Sequence, residues 1–172
     1  MRQLPGNCLV SAVIFAVGDV LSQSIERRTT EKDWDGRRLA SMSLFGGLVR
    51  GPVLYLWFTK GLARWFPGRS AKAVFQKLAV DQLLFGPCFM AVFFVCITLA
   101  NGGTWQDARG KLQREFLPAQ LRAWVLWPSV QLGNFWLVPA QYQLMAINGV
   151  AVGWMGYLSY VEFRGKMRLI PA

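Results

Sequence analysis

Residues 123–161, AWVLWPSVQLGNFWLVPAQYQLMAINGVAVGWMGYLSYV, hold no charged side chain between Arg122 and Glu162. As one unbroken helix this stretch would run about 58 Å, nearly twice a hydrocarbon core of about 30 Å. It must therefore be divided. A first passage is read over 123–139, and the remainder, 144–161, is read either as a further passage or as a segment that lies partly in the interface or re-enters. The first half is also chemically odd. It carries Pro128, Pro139, Gln131 and Asn134, groups that a plain lipid anchor has no reason to contain.

Working outward, three more apolar segments appear, at 8–25, 39–58 and 78–100. The chain is 53% hydrophobic and 16% charged, with positive mean hydropathy over its 172 residues. This composition lies outside the soluble globular norm. The expected fold is an all-α integral membrane bundle of four to five transmembrane helices, formed as a single domain over 1–172. Residues 104–116 add an amphipathic helix on the membrane surface, with Trp105, Ala108, Leu112 and Phe116 at helical spacing opposite Arg109, Lys111 and Arg114. No cleavable transit peptide is expected at the N-terminus, which lacks an Arg- and Ser-rich amphipathic stretch.

Nineteen Lys and Arg against nine Asp and Glu give a net charge of +10. The basic residues flank the apolar segments, where they meet anionic headgroups, and no nucleic-acid-binding module accompanies them. The partners expected are membrane lipids, anionic ones in particular, with no direct contact to nucleic acid. Loop 59–77, with Lys60, Arg64, Arg69, Lys72 and Lys77 beside Trp65, Phe66 and Phe75, suits an anionic surface. Orientation depends on span count. Four spans divide the basic flanking residues nine and nine, whereas five divide them six and twelve.

There is no histidine, and Cys8, Cys88 and Cys96 form no CxxC pair. Metal ligation, cofactor binding and a disulfide framework are not expected, nor is an enzyme, because no base and nucleophile are poised together. The ionisable residues read as lying within spans are Asp19, Arg50 and Asp81. Such charges are costly unless paired or hydrated. They are read either as one Asp–Arg–Asp cluster along an aqueous path, with Gln82 beside it, or as separate groups wetted or capped near span ends. Gln131, Asn134, Val138 and Gln141 fall on one helix face as an amide stripe that either lines a pore or binds helices together. Helix breaks are expected at Gly51-Pro52, Gly86-Pro87, Pro128 and Pro139. Two GxxxG patterns, 47–51 and 149–153, suit close helix packing. The eight tryptophans suit interfacial belts.

Several of these elements together resemble one family. They are Gly18-Asp19-Val20-Leu21-Ser22-Gln23, Gly51-Pro52, Asp81-Gln82 with Gly86-Pro87, Lys111-Leu112-Gln113-Arg114, and Tyr157-Leu158-Ser159-Tyr160. The most specific is Trp127-Pro128-x-x-Gln131-x-x-Asn134-Phe135-x-x-Val138-Pro139. The chain is similar to the small membrane proteins named after Mpv-seventeen and the peroxisomal membrane protein of twenty-two kilodaltons. The resemblance implies an organelle membrane protein with pore-like conduction of small solutes and a link to mitochondrial DNA maintenance. The segments around Gly18-Asp19 and Gly86-Pro87-Cys88-Phe89 look nearest the mitochondrial inner-membrane branch, with the peroxisomal membrane as the alternative. One departure is Gln143, where the family pattern continues Val-Pro-x-x-x-Arg. The leading expectation is a channel for small hydrophilic metabolites lined by Asp19, Arg50, Asp81, Gln82, Gln131 and Asn134. A non-conducting structural or assembly protein is the alternative. A path inside one bundle would be narrow, so solutes pass through each protomer or a homo-oligomer surrounds a wider opening.

Overall fold

The computed structural model describes residues 4–30, 33–68 and 70–164, and among these there is no β-strand. Five long helices follow one another: α1 Leu4–Thr30, α2 Gly36–Trp65, α3 Ala71–Ala100, α4 over 105–137, and α5 Gln143–Arg164. The helices follow one another closely in sequence, with connections such as 101–104 and 138–142, so successive helices are antiparallel. The C-terminal ends of α1, α3 and α5 therefore share one end of the bundle with the start of α2, and this is called the Arg38 end. The opposite end is named for Asp81. Helix α1 packs against both α2 and α5, and α4 packs against α3 and α5.

Four stretches are long and apolar enough to cross a membrane: Leu4–Arg28, Gly36–Trp65, Ala71–Ala100 and Ala140–Phe163. The α3 window has a mean hydropathy of 2.4, yet only 28% of it is buried inside the protein. Leu48, Leu83, Val125 and Met145 point outward. Apolar surface on that scale requires lipid around it.

The division of 123–161 bears out the reading of 144–161 as a further passage and corrects the reading of 123–139 as one of the strongly apolar spans. Residues 144–161 form a regular helix, with no re-entrant turn. The 123–139 segment belongs to a helix that falls below the apolar criterion, because Gln120, Arg122, Gln131 and Asn134 dilute its hydropathy. The second correction concerns the surface helix. Residues 105–116 run without interruption into α4, so they are the wet end of a bundle helix rather than a separate element. That end is well capped: the Thr104 side chain accepts from the Asp107 N–H, and Asp107 accepts from Thr104 in return. The bonds from the Thr104 backbone and hydroxyl hold the Asp107 carboxyl below the usual carboxylate range. At the preceding helix end, Gly102 adopts φ +82°, a left-handed turn that lets the Gly103 N–H reach the Thr98 carbonyl at 3.0 Å.

The expected glycine-proline breaks are not breaks. Pro52, Pro87 and Pro118 each follow a π-helical turn, at Gly46–Arg50, Asp81–Phe85 and Leu112–Phe116. Gly51 donates to the Gly46 carbonyl and Gly86 to the Asp81 carbonyl, each five residues back. The wider turn accommodates the proline ring and its missing donor, so the helix continues through it. Pro128 also lies inside α4. Of the four expected breaks, Pro139 alone stops a helix: Val138 before it is extended at φ −92°, ψ 129°, as a residue preceding proline prefers.

Glycines set how closely the helices approach. A Cβ on Gly51 would sit 2.6 Å from Cys8 Cα, and one on Gly46 2.5 Å from the Ser11 carbonyl oxygen. A Cβ on Gly47 would lie 3.3 Å from Ala12 Cβ and 3.5 Å from the Cys8 carbonyl oxygen, a tight fit on the same face. The first GxxxG pattern thus seats α1 on α2. The second does not act this way, since Gly149 and Gly153 face open space. At the other side of α1, a Cβ on Gly18 would lie 2.7 Å from Met155 Cβ and 2.8 Å from the Gly156 nitrogen. Between these contacts sits an aromatic core in which Phe15, Phe45 and Phe93 meet at centroid distances of 5.5 to 6.2 Å.

Candidate functional site

The predicted Asp19, Arg50, Asp81 cluster is not a cluster. Asp19 lies at the Arg38 end, where the Arg38 Nε donates to its Oδ1 at 2.6 Å and the Ser159 hydroxyl donates to the same oxygen. Arg38 also forks onto Glu26, Nη1 to Oε2 at 2.8 Å and Nη2 to Oε1 at 2.9 Å, and its Nη2 reaches Ser22 at 2.7 Å. The guanidinium lies 4.3 Å from the Phe163 ring centroid. Gln23 completes the group, donating to Asp19 at 2.8 Å and accepting from the Asp35 N–H at 2.8 Å. Nearby, Glu162 accepts from Lys111 at 2.8 Å and from Thr98 at 2.9 Å. The two networks tie α1, α2 and α5, and then α3, α4 and α5. Sequence reasoning missed Arg38, Glu26, Ser22, Ser159 and Glu162. The spacing of Asp19, Ser22, Gln23 and Glu26 along one face of α1 was the available signal.

Toward the opposite end, Asp81 accepts from Trp57 Nε1 at 2.9 Å, from Gln82 at 2.8 Å and from Gln131 at 3.1 Å. Asn134 then donates to Gln131 at 3.0 Å. The amide stripe is therefore partly real: Gln131 and Asn134 are buried and bonded, while Gln141 is exposed. Trp57 stacks on Phe85 at 4.5 Å, and Trp127 meets Trp154 edge-on at 6.1 Å. These three tryptophans serve the interior. Trp34, Trp65, Trp105 and Trp136 are exposed as an interfacial belt requires.

Gln143 caps α4. Its Nε2 donates to the Val138 carbonyl at 3.1 Å and to the Asn134 carbonyl at 3.4 Å, the latter also accepting from the Val138 N–H at 3.2 Å as the last helical bond before Pro139. A neutral amide thus satisfies the helix end at the position where the family pattern has arginine. Replacing Gln143 with Leu is expected to cost about 1 to 2 kcal/mol, read as a lowered midpoint for thermal loss of helicity in detergent, because these carbonyls lose a buried donor. An unchanged midpoint would mean that water caps them instead.

Arg50 and Asp81 do share one feature, a partly open cavity of about 100 Å³ lined by α2, α3, α4 and α5. Arg50, Asp81, Gln82, Gln120 and Gln131 supply its polar wall, and Phe89, Trp127, Trp154 and Leu158 are among its apolar residues. Gln120 and Gln131 are eleven positions apart, so the residues that α4 gives to this wall span about 16 Å of helix. Arg50 is only 3% exposed. Among the described residues its one hydrogen bond is from Nη1 to the Ser11 hydroxyl at 3.1 Å, and the Phe15 ring lies 5.9 Å away. Among the described residues no carboxylate comes within 4.0 Å of it. Asn134 is adjacent through Gln131 but is not part of the wall.

The profile of the Mpv17 / PMP22 family matches residues 98–159, from the end of α3 through α4 into α5. The chain is also 40% identical over 157 residues to the human protein named mitochondrial inner membrane protein Mpv17, covering 91% of this chain and 88% of that one. The chain belongs to the Mpv17 / PMP22 family. A zebrafish relative of the same name is 35% identical over 88% of this chain and 85% of its own, and protein sym-1 of Neurospora crassa is 33% identical over 94% and 92%. No solved structure matches. As a family member of this branch, the chain is a mitochondrial inner-membrane protein. Within the Mpv17 / PMP22 match fall both amides of the stripe, Gln120, Pro139, Gln143 and Ser159.

Proposed function

We propose that this protein is a conduit for small hydrophilic metabolites across the mitochondrial inner membrane, and that the α2–α5 cavity is where the solute resides. The observation that carries this reading is Arg50, a buried cation without a carboxylate partner that faces a cavity sharing its wall with Asp81, Gln120 and Gln131. A purely structural arginine at this depth would be paired, as Arg38 is. The conformation described is closed toward the Arg38 end, where Phe94, Ile97, Ala119 and Val161 are buried beyond Gln120 and the Lys111–Glu162 pair lies outside them. With five crossing helices the basic residues divide six to twelve, which directs the Arg38 end to the matrix. By the family resemblance, the solutes passed would support mitochondrial DNA maintenance.

A second reading, a non-conducting bundle that organises lipids or partners, is favoured by the two networks at the Arg38 end. Liposome reconstitution separates the two. Solute release and conductance by the wild type, abolished by Gln131→Leu in protein of unchanged helicity and size-exclusion profile, support the conduit. Silence of well-folded wild type across solutes, pH and voltage would leave the structural reading.

A further inference from the structure

We infer that the cavity binds a small zwitterionic carboxylate of the amino-acid class, with its carboxylate on Arg50 and its ammonium toward Asp81. The inference rests on the reading of this cavity as the solute site and names the solute's chemistry. Four observations lead to it.

First, Arg50 is buried with one hydrogen bond among the described residues, to Ser11, so most of its guanidinium donors are available to a planar anion that can be gripped by two of them. Second, the same wall presents an acceptor with room for a further donor. Asp81 takes three N–H donors, from Trp57, Gln82 and Gln131, out of about four that a carboxylate can accept. A ligand that brings an N–H donor fills the remaining place.

Third, the charges balance. Arg50 and Asp81 line one cavity without forming an ion pair, leaving it dipolar with no net charge from these two groups. A zwitterion fits that dipole and adds no net charge to a site within the membrane. A simple anion would set an uncompensated negative charge near Asp81, and a simple cation would do the same near Arg50. Fourth, the size is restrictive. At roughly 10 to 15 Å³ per water-sized centre, about 100 Å³ holds seven to ten such centres. A short amino acid fits, and a nucleotide does not.

The test is equilibrium binding of labelled L-serine to the purified full chain in detergent, with glycerate and serinol as competitors. Glycerate replaces the ammonium with a hydroxyl, and serinol replaces the carboxylate with a hydroxymethyl group. The wild type is expected to bind serine in preference to both. Arg50→Gln should weaken serine at least about tenfold, with Arg50→Lys intermediate, as befits a lost charge-assisted pair. Asp81→Asn should reverse the preference, favouring glycerate over serine. That reversal carries the test even if Arg50→Gln fails to fold, since a merely structural Asp81 would not invert selectivity. Equal displacement by glycerate in the wild type, or no serine binding by folded wild type, overturns the inference. Flux of other solutes without serine binding would sink this inference and leave the conduit standing. Saturable serine binding without flux would do the opposite.

Discussion

Arg38→Met is expected to lower stability by about 3 to 5 kcal/mol, or to prevent folding outright, because it leaves Asp19 and Glu26 buried without their shared cation. Asp19 is fully buried and Glu26 nearly so, and Arg38 supplies bonds to both as well as to Ser22 and Ser159. Loss of helical signal with temperature, followed in detergent, measures the effect. Arg38→Lys should fall between, since an ammonium keeps the charge but not the planar fork that spans two carboxylates. The mechanism has its own signature. Adding Asp19→Asn and Glu26→Gln to Arg38→Met should recover more than half of the loss, because what costs stability is the unpaired charge rather than missing contacts. A triple variant as weak as the single one, or a single one as stable as wild type, would show that these charges are hydrated in the native protein.

The second large effect is expected at Gly18→Val. The new Cβ would overlap Met155 Cβ and the Gly156 backbone, and neither backbone can yield without moving a helix. Overpacking of this kind costs about 1 to 3 kcal/mol and more where backbone is the obstacle. Parting α1 from α5 also draws Ser159 away from Asp19, so combining Gly18→Val with Arg38→Met should be markedly less than additive. Gly153→Ala is the control. Its Cβ meets nothing within 4 Å, and alanine is the better helix former by about 0.5 to 1 kcal/mol. If Gly153→Ala proves as damaging as Gly18→Val, glycine is acting through helix flexibility and not through the crossing.

These two positions mark where the sequence could be read and where it could not. Asp19 was legible as a charge needing a partner, but Arg38 was counted with the loop, because hydropathy ends a segment at its first cluster of charges. The helices continue past that point: α1 runs to Thr30 and α2 begins at Gly36, each exceeding its apolar segment. Asp35 starts α2 by capping the Arg38 N–H at 2.9 Å, and so turns a loop residue into a buried one. Gln131 and Asn134 were readable because their spacing on one face is a local property. Their attachment to Asp81, and the sharing of a cavity by Asp81 and Arg50, depend on how three helices are rotated about their axes. No spacing within one segment encodes that.

The π turns govern that rotation. Each carries one residue more than the winding around it, and one residue is worth about 100° of phase. In α2 the part up to Gly51 is held by α1, at Ser11 and Cys8, while the part after it presents Leu54 and Phe58 to the cavity. A chain shortened by one residue between 46 and 50 could keep either half in phase but not both. The helix could look unchanged in length and hydropathy, yet Arg50 or the residues after it would be turned into lipid. The same arithmetic applies to α3, whose extra residue begins at Asp81. In this bundle, an insertion or deletion of a single outward-facing leucine is a change to the inside.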